Sequence, residues 1–142
     1  ICPMTEADCE KTGLLMKECF SVPWSVEGLK EMFHTEGYCS FLAKEEEEVI
    51  GYVGMKMVLD EADITNVAVL PSHRKKGIAG KLLKQLLEEA KKQNLHSIYL
   101  EVRASNIAAV TLYEHAGFKE VGQRKNYYDN PREDARLMLW EA

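Results

Sequence analysis

The stretch VLPSHRKKGIAGKLLKQLL, residues 69–87, joins the end of an apolar run to a basic turn and an amphipathic segment. It holds five lysines and arginines and no acidic residue, although the 142-residue chain has a formal net charge of -5. Apolar residues recur at helical spacing from Ile78 to Ala90, which predicts a long helix over about residues 77–93. A helix N-terminus behind small residues is a candidate anion site, because its first N–H groups are unpaired. Charge and glycine content alone fit an exposed loop with ordinary lysines equally well.

The segments around this turn predict a mixed α/β fold. ADITNVAVL, residues 62–70, reads as a central strand ended by Pro71, and SIYLEV, residues 97–102, as the strand after a β-α-β crossover. YCSFLAK and VIGYVGMKMV predict a hairpin around the acidic turn at residues 44–48. Two helices are expected before this hairpin, one opened by Thr5 and broken by Pro23, the other capped by Ser25.

The last third of the chain predicts a helix and two strands. Ser105 or Asn106 caps the helix, and Gly117 stands just past its end. A strand should start at Phe118, followed by a polar loop around NYYDNPRED, residues 126–134, and a final strand over ARLMLW. This order predicts a mixed sheet within one domain over residues 1–142.

Composition limits the classes of function. A hydrophobic fraction of 46% and a mean hydropathy of -0.30 are typical of a soluble domain, and no run approaches the roughly 20 apolar residues of a membrane span. The acidic balance argues against direct nucleic-acid binding. Four cysteines without a Cys-x-x-Cys pair indicate free thiols in the cytoplasm, and four histidines without ligand spacing argue against a metal site.

The spacing Arg74-x-x-Gly77-x-Ala79, after a strand and at the start of a helix, resembles the acetyl-CoA pyrophosphate signature of the GNAT N-acetyltransferases. That family writes the signature Gln/Arg-x-x-Gly-x-Gly/Ala, so alanine at 79 is an accepted variant with tighter room. The resemblance implies a GNAT fold, a mixed central sheet flanked by about four helices. It also implies an acetyl-CoA site. The implied contacts are the strand residues Val67, Ala68 and Val69 for the pantetheine arm, and Lys75, Lys76, Gly77, Ile78, Ala79 and Gly80 for the pyrophosphate.

The stretch LEVRASNIAAVTLYEHAGF, residues 100–118, holds the candidate catalytic groups. Glu101 stands between Leu100 and Val102 in a strand, so partial burial would make its carboxylate a suitable proton acceptor. Asn106 and Tyr113 are seven residues apart, and two helical turns place them on one face about 10 Å long. For isolated residues, a core tyrosine and a structural ion-pair partner remain the simpler interpretations.

This stretch, together with RKNYYDNPREDARLM and ECFSVPWS (residues 18–25), resembles the RimI-type branch of the family, the ribosomal-protein alanine N-acetyltransferases. The resemblance implies that Glu101 is the general base, that Tyr113 is the general acid and that Asn106 contacts the cofactor. It places Trp24, Tyr127 and Tyr128 at the peptide entrance, although packing of Trp24 against the sheet explains that residue equally well. Glu133 and Asp134 would attract a basic peptide.

The expected activity is acetyl transfer from acetyl-CoA to the N-terminal alanine of the small-subunit ribosomal protein numbered eighteen. One alternative is a GNAT enzyme acting on a small amine, such as a polyamine or an aminoglycoside. Another is an acyl-CoA-binding module without catalysis. The sequence leaves open the breadth of N-terminal specificity, the acyl-chain preference and the oligomeric state.

Overall fold

The computed structural model describes residues 1–20, 23–129 and 131–142. Within these ranges, seven strands form one sheet: β1 (Cys2–Pro3), β2 (Tyr38–Glu45), β3 (Glu48–Val58), β4 (Glu61–Val69), β5 (Ser97–Arg103), β6 (Lys119–Tyr128) and β7 (Glu133–Glu141). Four α-helices accompany the sheet: α1 (Cys9–Cys19), α2 (Val26–His34), α3 (Ile78–Lys92) and α4 (Ile107–His115). The predicted fold class, a mixed sheet with about four helices, is confirmed. No helix in the described ranges is long and apolar enough to cross a membrane.

The strands follow the order β1-β2-β3-β4-β5-β7-β6, with β4 in the middle as predicted. All pairs are antiparallel except β4 and β5, which run parallel because α3 connects them in a crossover. Ser25 caps α2 as predicted, since its side chain accepts a hydrogen bond of 3.0 Å from the backbone N–H of Gly28.

Two apolar layers cover opposite faces of the sheet. Phe41 and Val53 contribute to the layer with α3 and α4, whereas their strand neighbours Leu42 and Tyr52 belong to the layer with α1 and α2. This division follows from the alternation of side chains along a strand. The predicted apolar stripe of α3 is confirmed, because Leu82, Leu83, Leu86 and Ala90 are buried in the first layer.

The predicted loop over residues 126–134 is shorter in the structure. β6 extends through Tyr128, which pairs with Glu133 of β7 across a register shift. Asn126 adopts a left-handed φ of 52° within that irregularity, and its polar side chain type tolerates such a conformation. Tyr127 and Tyr128 are therefore strand residues, and among the described residues Asp129, Pro131 and Arg132 form the turn before β7. Asn130 lies outside the described residues.

The N-terminal helix differs in detail from the expectation. Thr5 precedes a short 3₁₀ turn at Glu6–Asp8, and α1 starts only at Cys9. Leu14 is exposed, while Leu15 and Met16 are buried. In the segment ECFSVPWS, Ser21 and Val22 lie outside the described residues.

The sheet opens in its middle. β4 and β5 pair only over three residue pairs, the last of which joins Asp63 to Tyr99. Beyond that point β4 carries an extra residue, Thr65, where its register with β3 shifts between Gly54 and Met55. The rest of β4 and β5 therefore diverges, and the space between them forms a cleft.

Candidate active site

The cleft between β4 and β5 has a volume of about 950 Å³. β4, β5, α4 and β6 all contribute side chains to it, and Cys19 and Phe20 from the end of α1 complete one side. Six residues that the sequence analysis singled out line this one space: Val67, Glu101, Asn106, Tyr113, Tyr127 and Tyr128.

The open edge of β4 offers backbone groups to the cleft. Leu70 N–H donates a hydrogen bond of 2.9 Å to Ile50 O of β3. Backbone groups alternate in direction along an antiparallel strand, so those of Val67 and Val69 point away from β3, toward the open edge. The carbonyl of Val69 indeed accepts bonds from Arg74 Nε at 3.0 Å and from Cys19 Sγ at 3.4 Å. Such an edge fits an extended amide chain, as the pantetheine arm is.

The turn after β4 fits an anionic group. Gly77 is the N-cap of α3 with a φ of 77°, and Lys75 also has a positive φ of 64°. A Cβ on Gly77 would meet nothing within 4 Å, so the backbone conformation, not space, is what this position demands. The first N–H groups of α3 have no partner inside the helix, and its first turn holds no acidic side chain. Lys75 and Lys76 are exposed beside it.

Glu101 projects from β5 into the cleft with its side chain 26% exposed. Its Oε1 lies 3.4 Å from Nε of Arg124 on β6. Its Oε2 is buried and has no hydrogen-bond partner among the described residues. The carboxylate is partly buried, as predicted, and its Oε2 is an acceptor without a partner among the described residues.

Tyr113 reaches the cleft from α4 and is 9% exposed. Its ring packs edge-to-face on Phe118 with ring centroids 5.9 Å apart. Burial raises the pKa of Tyr113 to about 12, with a smaller contribution from Tyr128, so the phenol keeps its proton at neutral pH. Asn106 caps α4 by accepting a bond of 3.2 Å from the Ala109 N–H, which fixes the start of the helix that carries Tyr113.

Tyr127 and Tyr128 form an aromatic pair on β6, with ring centroids 5.0 Å apart. The neighbouring Glu101 carboxylate raises the pKa of Tyr127, because it stabilises the neutral phenol and repels the phenolate. Burial raises the pKa of Tyr128, and Glu101 adds to that shift. Both tyrosines therefore lie near the carboxylate.

Arg103 is a functional candidate that the sequence analysis missed. Its guanidinium donates hydrogen bonds of 2.9 Å to the carbonyls of Asp129 and Pro131, and it stacks over the Tyr128 ring at 4.5 Å. It also lies 3.4 Å from Glu133. Arg103 thus ties the turn between β6 and β7 to β5. Its place two residues after Glu101, on the same face of the strand, is the signal that could have identified it.

Three other residues that were predicted to interact with the peptide, Glu133, Asp134 and Trp24, make contacts within the protein. Glu133 accepts a bond of 2.6 Å from Ser105 N–H, and Asp134 accepts one of 2.9 Å from Asn126 N–H. Trp24 packs against the layer formed with α1 and α2. With the Asn66 amide oriented by hydrogen bonding, the Trp24 indole donates to it at 3.3 Å, and Asn66 lines the cleft.

The part of the chain that the structure describes holds no group of three or more metal-ligating side chains. Cys2, Cys9, Cys19 and Cys39 are free thiols, as predicted.

Comparisons with known proteins show the family to which this chain belongs. The model of the Acetyltransferase (GNAT) family matches residues 10–118. A [ribosomal protein bS18]-alanine N-acetyltransferase of Escherichia coli K12 is 38% identical over 118 residues, covering 82% of this chain and 79% of that protein. Its Haemophilus influenzae counterpart is 38% identical over 134 residues, covering 92% and 90%. The crystal structure of the ribosomal-protein-S18-alanine N-acetyltransferase from Escherichia coli superposes with a TM-score of 0.89 at 33% identity, covering 98% of this chain and 90% of that one. The chain therefore belongs to the GNAT family of acetyltransferases, in its RimI-type branch.

Proposed function

We propose that this acetyltransferase transfers the acetyl group of acetyl-CoA to a protein N-terminal α-amine, that of the alanine of ribosomal protein bS18. The names of the similar bacterial proteins support this substrate. The observation that carries the proposal is that Glu101, Tyr113 and the open edge of β4 all border one cleft. A ribosomal substrate would place the reaction in the cytoplasm.

Proton chemistry favours an α-amine over a lysine. An α-amine has a reference pKa of about 8 and a lysine one of about 10.4, so deprotonating the lysine costs roughly 3 kcal/mol more. A carboxylate is a modest base and therefore suits the α-amine. Glu101 lines a cleft that a peptide terminus can enter, and its side chain is partly exposed there.

In the proposed mechanism Glu101 accepts the proton that the α-ammonium loses, directly or through one water. When bound, acetyl-CoA supplies the activated thioester and, after transfer, the CoA thiolate. The backbone N–H of Val67 points to the open edge and would donate a hydrogen bond to the carbonyl oxygen of a bound acetyl group. Cys19 is the one cysteine among the described residues that line the cleft, and its thiol donates a hydrogen bond to the carbonyl of Val69. The proposed mechanism is therefore direct attack of the amine on the thioester, without an acyl-enzyme intermediate.

Tyr113 acts on the departing thiolate. With a pKa of about 12 its phenol is protonated at every physiological pH and can donate to sulfur. Complete transfer to a thiolate with the ordinary pKa of about 8.5 is uphill by roughly 5 kcal/mol. Tyr113 therefore stabilises the thiolate first as a hydrogen-bond donor, and its proton is replaced from solvent after transfer.

The residues proposed to hold acetyl-CoA form two groups. Val67 and Val69, with Ala68 between them, are proposed to present the strand edge to the pantetheine arm, while Asn106 lines the cleft from the start of α4. The turn residues Lys75, Lys76, Gly77, Ile78, Ala79 and Gly80 surround the N-terminus of α3, where a pyrophosphate gains N–H donors and positive charge.

Trp24, Tyr127 and Tyr128 are proposed to line the way in for the peptide. Tyr127 is 50% exposed and stands beside Glu101, so its ring can flank a backbone that ends at the carboxylate. Trp24 acts through its contact with Asn66. Two alternatives differ from this proposal in their reaction. A small-amine acetyltransferase would modify a different amine, and an acyl-CoA-binding module would modify none.

Mass spectrometry of acetylated peptides tests the proposal. One peptide begins with a free alanine, as the ribosomal substrate does, and contains an internal lysine; a matched peptide has a blocked N-terminus. Spermidine serves as the small-amine control. We expect acetylation of the free α-amine alone. Acetylation of spermidine or lysine instead, or tight acetyl-CoA binding without turnover on any amine, contradicts the proposed function.

A further inference from the structure

Arg124 contacts the carboxylate that the proposed mechanism uses. Its Nε lies 3.4 Å from Oε1 of Glu101, although β7 separates the two strands. Glu101 pairs with Leu137, which pairs with Gly122, and directly paired residues project from one face of the sheet. Arg124 is two residues beyond Gly122, so its side chain emerges on the same face as Glu101.

Small residues flank Arg124 on this face of the sheet. Arg124 is paired with Ala135 of β7, and Gly122, two positions before it, carries no side chain. The residue between Gly122 and Glu101 is Leu137, which lines the cleft. The contact follows from the register of three strands, not from neighbouring positions in the sequence.

The contact between Arg124 and Glu101 is weakly held. The side chain of Arg124 is 56% exposed, and a single Nε atom meets the carboxylate. Ion pairs of this exposure change an equilibrium by no more than about fivefold. Arg103, in contrast, is fixed by two carbonyl groups at 2.9 Å each.

Arg124 also has a second interaction partner, the ring of Tyr127. Its guanidinium carbon lies 5.8 Å from the centroid of the Tyr127 ring, within the range of a cation–π contact. Release from Glu101 therefore leaves the cation beside an aromatic face and in contact with water.

An α-ammonium group and a guanidinium have the same charge, and both donate N–H bonds to a carboxylate. We propose that Arg124 and the substrate's α-ammonium compete for Oε1 of Glu101, so that Arg124 weakens the binding of every cationic amine. This inference rests on the proposed function, since it takes Glu101 as the group that meets the amine.

The substitution Arg124→Gln tests the competition. We expect the KM for the free-alanine peptide to fall about two- to fivefold, without an increase in kcat. Arg124→Lys keeps a cation on the same strand and should stay close to the wild-type KM. Arg132→Gln is the matched charge control, since Arg132 is exposed and is not among the described residues that line the cleft.

A peptide lacking the α-amino group separates competition from a general change in the cleft. It cannot compete for Glu101, so its inhibition constant should be the same for the wild type and for Arg124→Gln. A raised peptide KM in Arg124→Gln, equal tightening of both peptides, or a result matching Arg132→Gln overturns the inference while the proposed function stands. If the wild-type protein acetylates no α-amine, both the function and the inference fall.

Discussion

The two sides of the cleft are built from different parts of the chain. On the side of β4, Val67 borders the cleft, and Val69 and the helix N-terminus behind Gly77 follow it along the chain as backbone groups proposed to meet the cofactor. On the side of β5 and β6, the ligand would meet side chains, chiefly Glu101, Arg124 and the tyrosines. We call these the backbone wall and the side-chain wall.

The difference shows how one cleft can serve two ligands. The backbone wall offers N–H and C=O groups at fixed strand and helix spacing, which suits a long, repetitive cofactor with amides and phosphates. The side-chain wall offers groups that titrate and move, which proton transfer requires. Substitutions should therefore affect the backbone wall through conformation and the side-chain wall through chemistry.

The largest expected effect comes from Glu101→Gln on the side-chain wall. Glutamine keeps the shape but cannot accept the proton, so kcat for the free-alanine peptide should fall by about 10³-fold. Acetyl-CoA affinity, measured by calorimetry, should be unchanged because the backbone wall is intact. A rate equal to that of the wild type at every pH would remove the base role.

Tyr113→Phe should lower kcat by about 10²-fold, less than the loss at Glu101, because a thiolate already leaves readily. Acetyl-CoA affinity should again be kept. Since the pKa of Tyr113 is about 12, its ionisation should cause no loss of wild-type rate below about pH 11. An unchanged rate in the variant would remove the acid role and leave Tyr113 as a core residue.

The raised pKa of Tyr113 makes the stability of the folded protein depend on pH in the alkaline range. The folded protein disfavours the phenolate, so the contribution of Tyr113 is complete below about pH 10 and is lost as the pH rises toward 12. Thermal melts of Tyr113→Phe should therefore lose less stability over this range than those of the wild type. An equal alkaline loss in both proteins would contradict the shift.

Gly77→Val tests the backbone wall. A β-branched residue disfavours a φ of 77°, so we expect the KM for acetyl-CoA to rise about tenfold with the peptide KM unchanged. Gly77→Asn is the matched control, because asparagine tolerates the left-handed conformation and should retain most of the affinity. An equal loss in both variants would show that a side chain itself, not the backbone angle, is excluded.

Arg103→Lys is expected to have a smaller effect than Glu101→Gln, Tyr113→Phe or Gly77→Val. Lysine keeps the charge but lacks the planar fork that reaches two carbonyls, so the turn between β6 and β7 should loosen. We expect the peptide KM to rise about fivefold and the KM for acetyl-CoA to stay the same. Arg132→Lys serves as the control, and a parallel rise in both KM values would contradict a role confined to the side-chain wall.

Local features of the fold were predictable. Periodicity predicted the apolar stripe of α3. Ser25 predicted the start of α2, and Ser105 or Asn106 predicted the start of α4. The crossover helix required β4 and β5 to run parallel. The predicted loop over residues 126–134 was too long at both ends, because pairing between β6 and β7 holds Tyr127 and Tyr128 in one strand and Glu133 and Asp134 in the other.

The sequence by itself determined which residues can do chemistry and where helices and strands begin, because those properties depend on neighbours within one or two turns. It placed Glu101, Asn106 and Tyr113 on segments that could face a ligand. Only the tertiary structure decided that Arg124 meets Glu101 across β7 and that Arg103 holds the turn beside Tyr128. Such contacts depend on strand order and register, which are set by the burial of whole sheet faces and not by any local pattern.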